Sequence, residues 1–368
     1  MSCDFLLRAN PGVRSLQPYE PGKPESELAR ELGVQRIIKL ASNENPSGPS
    51  QSVLHTIQDQ ASRIHRYPDG NGFELKAALA EIYGLDQAQI TLGNGSNDIL
   101  QLLANAFLGP GDEVIFSQHS FAVYPIVTQA AGATAKVIPA KNYEADLGAH
   151  LAAITDHTKM IFLANPNNPT GTWIWARELK EFISAVPQHV LVVIDEAYAE
   201  YILDDKMASA LSWLSEFPNL IVTRTFSKAY GLAGLRVGYG VCHIQVADLL
   251  NRVRQPFNVN SLAQAAALTA LEDQEYLIDS VQLNNQGMAL IEGKLKQLDL
   301  NWIPSKANFL CIEVNQPGRE LYQKLLRQGV IVRPIEVYEL PNHIRVSIGT
   351  QEENELFLVA LEKALVAN

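Results

Sequence analysis

Leu220-Ile221-Val222-Thr223-Arg224-Thr225-Phe226-Ser227-Lys228-Ala229-Tyr230-Gly231-Leu232-Ala233-Gly234-Leu235-Arg236 carries the most information in the chain. An apolar strand run, Leu220 to Thr225, ends in hydroxyls, passes through a lysine and enters a glycine-rich turn that closes on an arginine. A lysine at the carboxyl end of a buried strand has no packing role. It is well placed to form a Schiff base with a carbonyl cofactor.

Other runs flank this one. Glu113 to Ser117, Lys159 to Ala164, Val190 to Asp195 and Val237 to Val241 read as further strands, separated by helical patterns such as Phe73 to Tyr83. That alternation predicts an α/β protein with a mostly parallel central sheet covered by helices on both faces. An alanine-rich helical pattern, Ser261 to Ala270, and a longer one, Tyr276 to Leu298, lead into a second cycle: strands at Phe309 to Val314, Val330 to Arg333 and His343 to Ile348, helices at Gly318 to Arg327 and Glu352 to Val366. This predicts a smaller α+β domain. The expected division is an arm over residues 1–47 that joins the small domain, a large domain over 48–270 and the small domain over 271–368. The arm is rich in Pro and Gly, with one short helix near Ser26 to Leu32.

Composition limits the function. The 368 residues carry a formal net charge of -11, which argues against a nucleic-acid surface. Cys3, Cys242 and Cys311 are far apart and form no CxxC, so neither a disulfide framework nor a zinc site is expected, and a reducing cytoplasm fits best. Met1 to Asn10 lacks a signal-peptide core, and no run approaches a membrane span. The eight histidines lack HExxH spacing, no metal is expected, and no GxSxG elbow surrounds a serine.

The remaining motifs each follow a predicted strand or open a helix. Asp195 ends Val190-Leu191-Val192-Val193-Ile194, where a carboxylate points into the crevice of an open sheet; such an Asp also caps turns. Asn167-Asn168-Pro169-Thr170-Gly171 is a turn signal, and it also places Asn168 beside that crevice. Gly93-Asn94-Gly95-Ser96-Asn97-Asp98 opens the helical run Ile99 to Leu108, either as an anion-binding helix start or as a simple helix entry capped by Ser96. It reads GxGxxD with no strong strand before it, so a dinucleotide site is poorly supported. Phe121 follows a strand end and fits either the core or the face of a flat cofactor ring. Arg236, with Thr225 and Ser227, can reach the same anion as the Gly95 loop. The order of these signals along one sheet points to pyridoxal 5'-phosphate.

With Leu16-Gln17-Pro18-Tyr19, Leu40-Ala41-Ser42-Asn43-Glu44-Asn45-Pro46, Arg66-Tyr67-Pro68-Asp69-Gly70 and His343-Ile344-Arg345-Val346-Ser347-Ile348-Gly349-Thr350, the chain resembles the fold type I pyridoxal-phosphate aminotransferases and, within them, the histidinol-phosphate aminotransferase family. The resemblance implies that Lys228 holds the cofactor and moves the substrate proton. It implies further that Asp195 pairs with the pyridine nitrogen and that Asn168 and Tyr198 contact the phenolic oxygen. Gly95, Ser96, Asn97, Thr225, Ser227 and Arg236 would bind the phosphate. Tyr19, Asn168, Arg333 and Arg345 would bind substrate, and Tyr67 would reach a neighbouring subunit's cofactor in a homodimer. Read without the resemblance, Arg333 and Arg345 are surface charge or domain-interface ion-pairing groups, a reading that for Arg333 weighs the same as substrate contact. Many relatives carry an acidic residue where Asn97 stands, which moves the weight of that loop onto its backbone donors. The implied reaction exchanges an amino group between L-histidinol phosphate and 2-oxoglutarate, giving imidazole acetol phosphate and L-glutamate. Alternatives are an aromatic amino-acid aminotransferase, a threonine-phosphate decarboxylase-like enzyme, a nicotinamide dehydrogenase using the Gly93 loop, and a non-catalytic module that keeps the scaffold.

Overall fold

The computed structural model describes residues 4–366 apart from 20, 35, 203, 205 and 206, so Cys3 lies outside the described residues. In chain order the strands are β1 (Ile38–Lys39), β2 (Ile90–Gly93), β3 (Glu113–Ser117), β4 (Thr134–Ile138), β5 (Thr158–Ala164), β6 (Leu191–Asp195), β7 (Leu220–Thr225), β8 (Gly238–Val241), β9 (Trp302–Ile303), β10 (Phe309–Glu313), β11 (Val330–Ile331), β12 (Arg333–Pro334) and β13 (His343–Ser347). A seven-stranded sheet has the order β2-β8-β7-β6-β5-β3-β4. β7, β6, β5, β3 and β4 are mutually parallel, and β8 runs antiparallel to both β7 and β2.

The continuous apolar runs of β6 and β7 are explained by burial on both faces. Val192, Ile194, Leu220 and Val222 enter one hydrophobic cluster with Leu179, Phe182 and Ala263, whereas Val193 and Ile221 enter another with Ile99, Leu103 and Leu250. Alternate residues of a strand point to opposite faces, so a sheet sandwiched between helices needs apolar side chains at every position. Each fully buried Val, Ile or Leu contributes roughly 1.5–3 kcal/mol.

A second sheet, β12-β13-β10-β9, is antiparallel. Leu28, Ile38, Leu40 and Ala41 of the amino-terminal arm share a core with Leu310, Ile312, Val346 and Phe357 beside it, and β1 pairs in parallel with β11. The run Val330 to Arg333 is therefore two strands with different partners. The arm holds helix Glu25–Leu32 and also a short helix, Phe5–Arg8, that the Pro and Gly content conceals.

Two expectations need correction. A strand does precede the Gly93 loop: β2 is buried along its length but only four residues long, too short to show a pattern. Ser96 is not the helix cap, because helix Ser96–Phe107 starts at Ser96 with Gly95 in the cap position and no side-chain cap bond. Among the described residues no helix is long and apolar enough to cross a membrane.

Candidate active site

The sheet register brings the distant motifs together. Gly93 pairs with Gly238 and Gly238 with Thr225, so the loop after β2 lies against the turn after β7, and Arg236 enters from the start of β8. A Cβ on Gly238 would lie 2.5 Å from the Ser96 nitrogen, and one on Gly95, at φ +84°, would lie 2.5 Å from Arg236 Nη2. Two missing side chains thus let a helix start and a guanidinium close on one point. The first N–H groups of helix Ser96–Phe107 have no intrahelical partner and carry the positive end of its dipole. Facing them, the Ser227 hydroxyl accepts from Thr225 Oγ1 at 3.0 Å and from Arg236 Nη1 at 3.4 Å. This arrangement is an anion cradle.

The cradle opens into a cavity of about 210 Å³ beyond the carboxyl ends of β5, β6 and β7. Ser96, Asn97, Phe121, Asn168, Asp195 and Tyr198 line it, as do Thr225, Ser227, Lys228 and Arg236, and Tyr19, Arg333 and Arg345 close it. Gly95 backs the wall through Arg236. Tyr67 does not reach this cavity: it is 82% exposed and stacks on Phe257 with ring centroids 4.7 Å apart.

Lys228 Nζ donates to the Ser42 carbonyl at 3.1 Å. Burial, reinforced by the Arg345 and Arg236 charges and opposed by Glu44 and Asp195, pushes its pKa down to about 7. Asp195 is 4% exposed, and its two oxygens accept from Thr223 Oγ1 at 3.0 Å and from Tyr124 Oη at 3.1 Å. Burial lifts its pKa to about 6 against the pull of those two donors. Tyr198 Oη accepts from Asn43 Nδ2 at 2.9 Å, and burial pushes its phenol up to about 12. Phe121 meets Tyr124 edge-on, with centroids 5.9 Å apart, while its half-buried ring lines the cavity.

Asn167 makes the turn, accepting from Gly171 N at 2.8 Å, which leaves Asn168 to face the cavity. Asn168 Oδ1 accepts from Arg345 Nη1 at 2.5 Å, and Arg345 Nη2 donates to the Ala41 carbonyl at 2.7 Å. Arg333 and Arg345 are 8% and 5% exposed, so neither is surface charge. They are direct cross-strand partners on β12 and β13, a like-charge pairing that is unfavourable unless something anionic sits beside it. Arg345 Nε is buried with no partner among the described residues. Among the described residues the cavity lining thus carries Lys228, Arg236 and Arg345 beside the carboxylate of Asp195. It suits an anionic guest.

Reasoning from the residues missed several contributors. Gly22, Ala41, Ser42 and Asn43 of the arm line the cavity, yet nothing local marks them; the Leu40–Pro46 run stood out through resemblance alone. Tyr124 and Thr223 escaped notice because their contact to Asp195 joins residues far apart in the chain. His343 Nδ1 is buried without a partner among the described residues.

The family model for class I and II aminotransferases matches residues 35–361. The chain belongs to that family. It is 58% identical to histidinol-phosphate aminotransferase 2 of Pseudomonas fluorescens over 99% of both chains, and 56% identical to histidinol-phosphate aminotransferase 1 of Idiomarina loihiensis over 97% of this chain and 98% of the relative. Among solved structures, the histidinol-phosphate aminotransferase of Sinorhizobium meliloti in complex with pyridoxal 5'-phosphate superposes with a TM-score of 0.90 at 30% identity, over 97% of both chains. The mostly parallel sheet with flanking helices is the fold type I architecture.

Proposed function

We propose that this aminotransferase reversibly exchanges an amino group between L-histidinol phosphate and 2-oxoglutarate, forming imidazole acetol phosphate and L-glutamate, with pyridoxal 5'-phosphate as cofactor, in histidine biosynthesis. The observation that carries this reading is the convergence of Lys228, Asp195 and the Gly95 to Asn97 cradle on one cavity, in a chain 58% identical over its length to a histidinol-phosphate aminotransferase. The donor set fits the cofactor: a phosphate would suit the cradle of Ser96, Asn97, Thr225, Ser227 and Arg236, the buried Asp195 carboxylate would pair with a ring nitrogen, and Lys228 lines the same cavity. Bound there, the cofactor supplies a carbonyl that takes up the amino group and a ring that delocalises the electron pair left when the α-carbon loses its proton.

The protein's own part follows from the site. With a pKa near 7, Lys228 Nζ is substantially neutral at physiological pH, so it serves as a nucleophile and then as the base that takes the substrate's α-proton. Asp195 presents a fixed anion. Asn168 and Tyr198 would orient the phenolic oxygen, and Phe121 would cover the ring face. Arg345 presents a planar fork suited to the α-carboxylate of glutamate, and Arg333 and Tyr19 share the substrate phosphate with it.

The exposed Tyr67–Phe257 pair supports a homodimer in which Tyr67 reaches the neighbouring cofactor phosphate. Two free buried thiols, Cys242 and Cys311, are in keeping with a cytoplasmic protein. The proposed division into arm 1–47, large domain 48–270 and small domain 271–368 has support from the separate hydrophobic clusters around the two sheets. The test is a half-reaction survey with purified protein, L-histidinol phosphate, phenylalanine, tyrosine and threonine phosphate. Ketone formation saturating at low histidinol phosphate is expected. Preference for the aromatic amino acids, or release of carbon dioxide, would overturn the assignment.

A further inference from the structure

The Asp195 carboxylate is held from two sides, and the second side lies outside the sheet. Thr223 comes from the adjacent strand β7, whereas Tyr124 comes from helix Val123–Ala130, which follows β3. Tyr124 is fully buried, and its ring stacks on Phe162 at 4.8 Å with an interplanar angle of 6°. The same ring forms a T-shaped contact with Phe121, at an interplanar angle of 90°. Burial and the neighbouring Asp195 charge drive the Tyr124 phenol well above its ordinary range, so it is a permanent donor. An ionised carboxylate only accepts, which fixes the direction of the bond.

We infer that Tyr124 is a positioning residue of this site: its hydroxyl pins Asp195 through Oδ2 while Thr223 pins Oδ1, and its ring braces Phe121. The inference rests on the reading of Asp195 as the anionic partner of the cofactor's ring nitrogen. With a side-chain donor on each oxygen the carboxylate is held against rotation where it lines the cavity. A donor to the charged form also holds the group ionised against the desolvation that burial imposes. Filling the core needs only the Tyr124 ring, so a phenylalanine meets the packing role and fails the positioning one.

The test compares the wild type with Tyr124→Phe and with protein carrying 3-fluorotyrosine at position 124, which keeps the shape and strengthens the donor. In cofactor-free protein, carbon-13 NMR of the Asp195 carboxyl should give a midpoint about 1–2 units higher in Tyr124→Phe and lower with fluorotyrosine. In holoenzyme, Tyr124→Phe should lower kcat about tenfold while KM moves less than about twofold. Should Tyr124→Phe fail to fold, the fluorotyrosine shift alone decides. Coincident midpoints in a transaminating wild type would overturn the role of Tyr124. Shifted midpoints in a wild type that does not transaminate would leave the bond to Asp195 standing and overturn the functional reading instead.

Discussion

Gly95→Ala tests the anion cradle at its tightest point. Gly95 adopts φ +84° and ψ 164°, a region that essentially glycine alone occupies, and its backbone is tied by Gly95 N to the Gly93 carbonyl at 2.8 Å and by Asp98 N to its own carbonyl at 3.1 Å. The new methyl would sit 2.5 Å from Arg236 Nη2. A guanidinium is the end of a flexible chain, so the clash is relieved by moving Arg236 out of the cradle rather than by unfolding. Two separable effects follow. Backbone strain should lower stability by about 1–3 kcal/mol. Loss of one charge-assisted contact, about 1.5–3 kcal/mol, should weaken pyridoxal phosphate binding roughly 10- to 150-fold. Titrating cofactor-free protein by absorbance measures the second, and urea unfolding the first. Gly234→Ala, where a Cβ meets nothing within 4 Å, is the matched control and should change neither. An unaltered dissociation constant in Gly95→Ala would refute the cradle.

Burial depresses Lys228 from 10.5 to about 7, so between those values the unfolded chain binds the extra proton and stability of the cofactor-free protein should rise with pH. Lys228→Met should flatten that rise relative to wild type in urea unfolding at pH 7 and pH 9. Arg345→Ala should raise KM for 2-oxoglutarate by roughly 10- to 150-fold in steady-state assays, through loss of a bidentate contact; an unchanged KM would remove Arg345 from the substrate site. Arg224 donates to Glu196 at 2.7 Å and to Glu200 at 3.2 Å, all three buried, so Arg224→Met strands two carboxylates and should destabilise the fold by about 3–5 kcal/mol in denaturant titration.

The parts of this molecule that could be read from its sequence are those where local chemistry and burial coincide. β6 and β7 announce themselves because both faces are buried, and Asp195 and Lys228 stand out because a charge ends or follows each run. β4 gives no such signal: it lies at the sheet edge with Thr134 and Ala135 exposed. β2 is brief, and its place beside β8 depends on pairing with residues far along the chain. The same limit hides the arm. Ser42 meets Lys228 and Asn43 meets Tyr198 only after folding, across sequence separations of 186 and 155 residues. Arg333 illustrates the converse, since a strand-end arginine reads as surface charge until the register sets it opposite Arg345 in a buried sheet.

The most direct measurement is borohydride reduction of the pyridoxal-phosphate-loaded enzyme followed by peptide mapping in a mass spectrometer. A carbonyl cofactor linked to the amine at the end of β7 should leave its label on Lys228 and on no other lysine, and Lys228→Ala should lose both label and turnover. A label elsewhere, or an active enzyme that takes up none, would contradict the account.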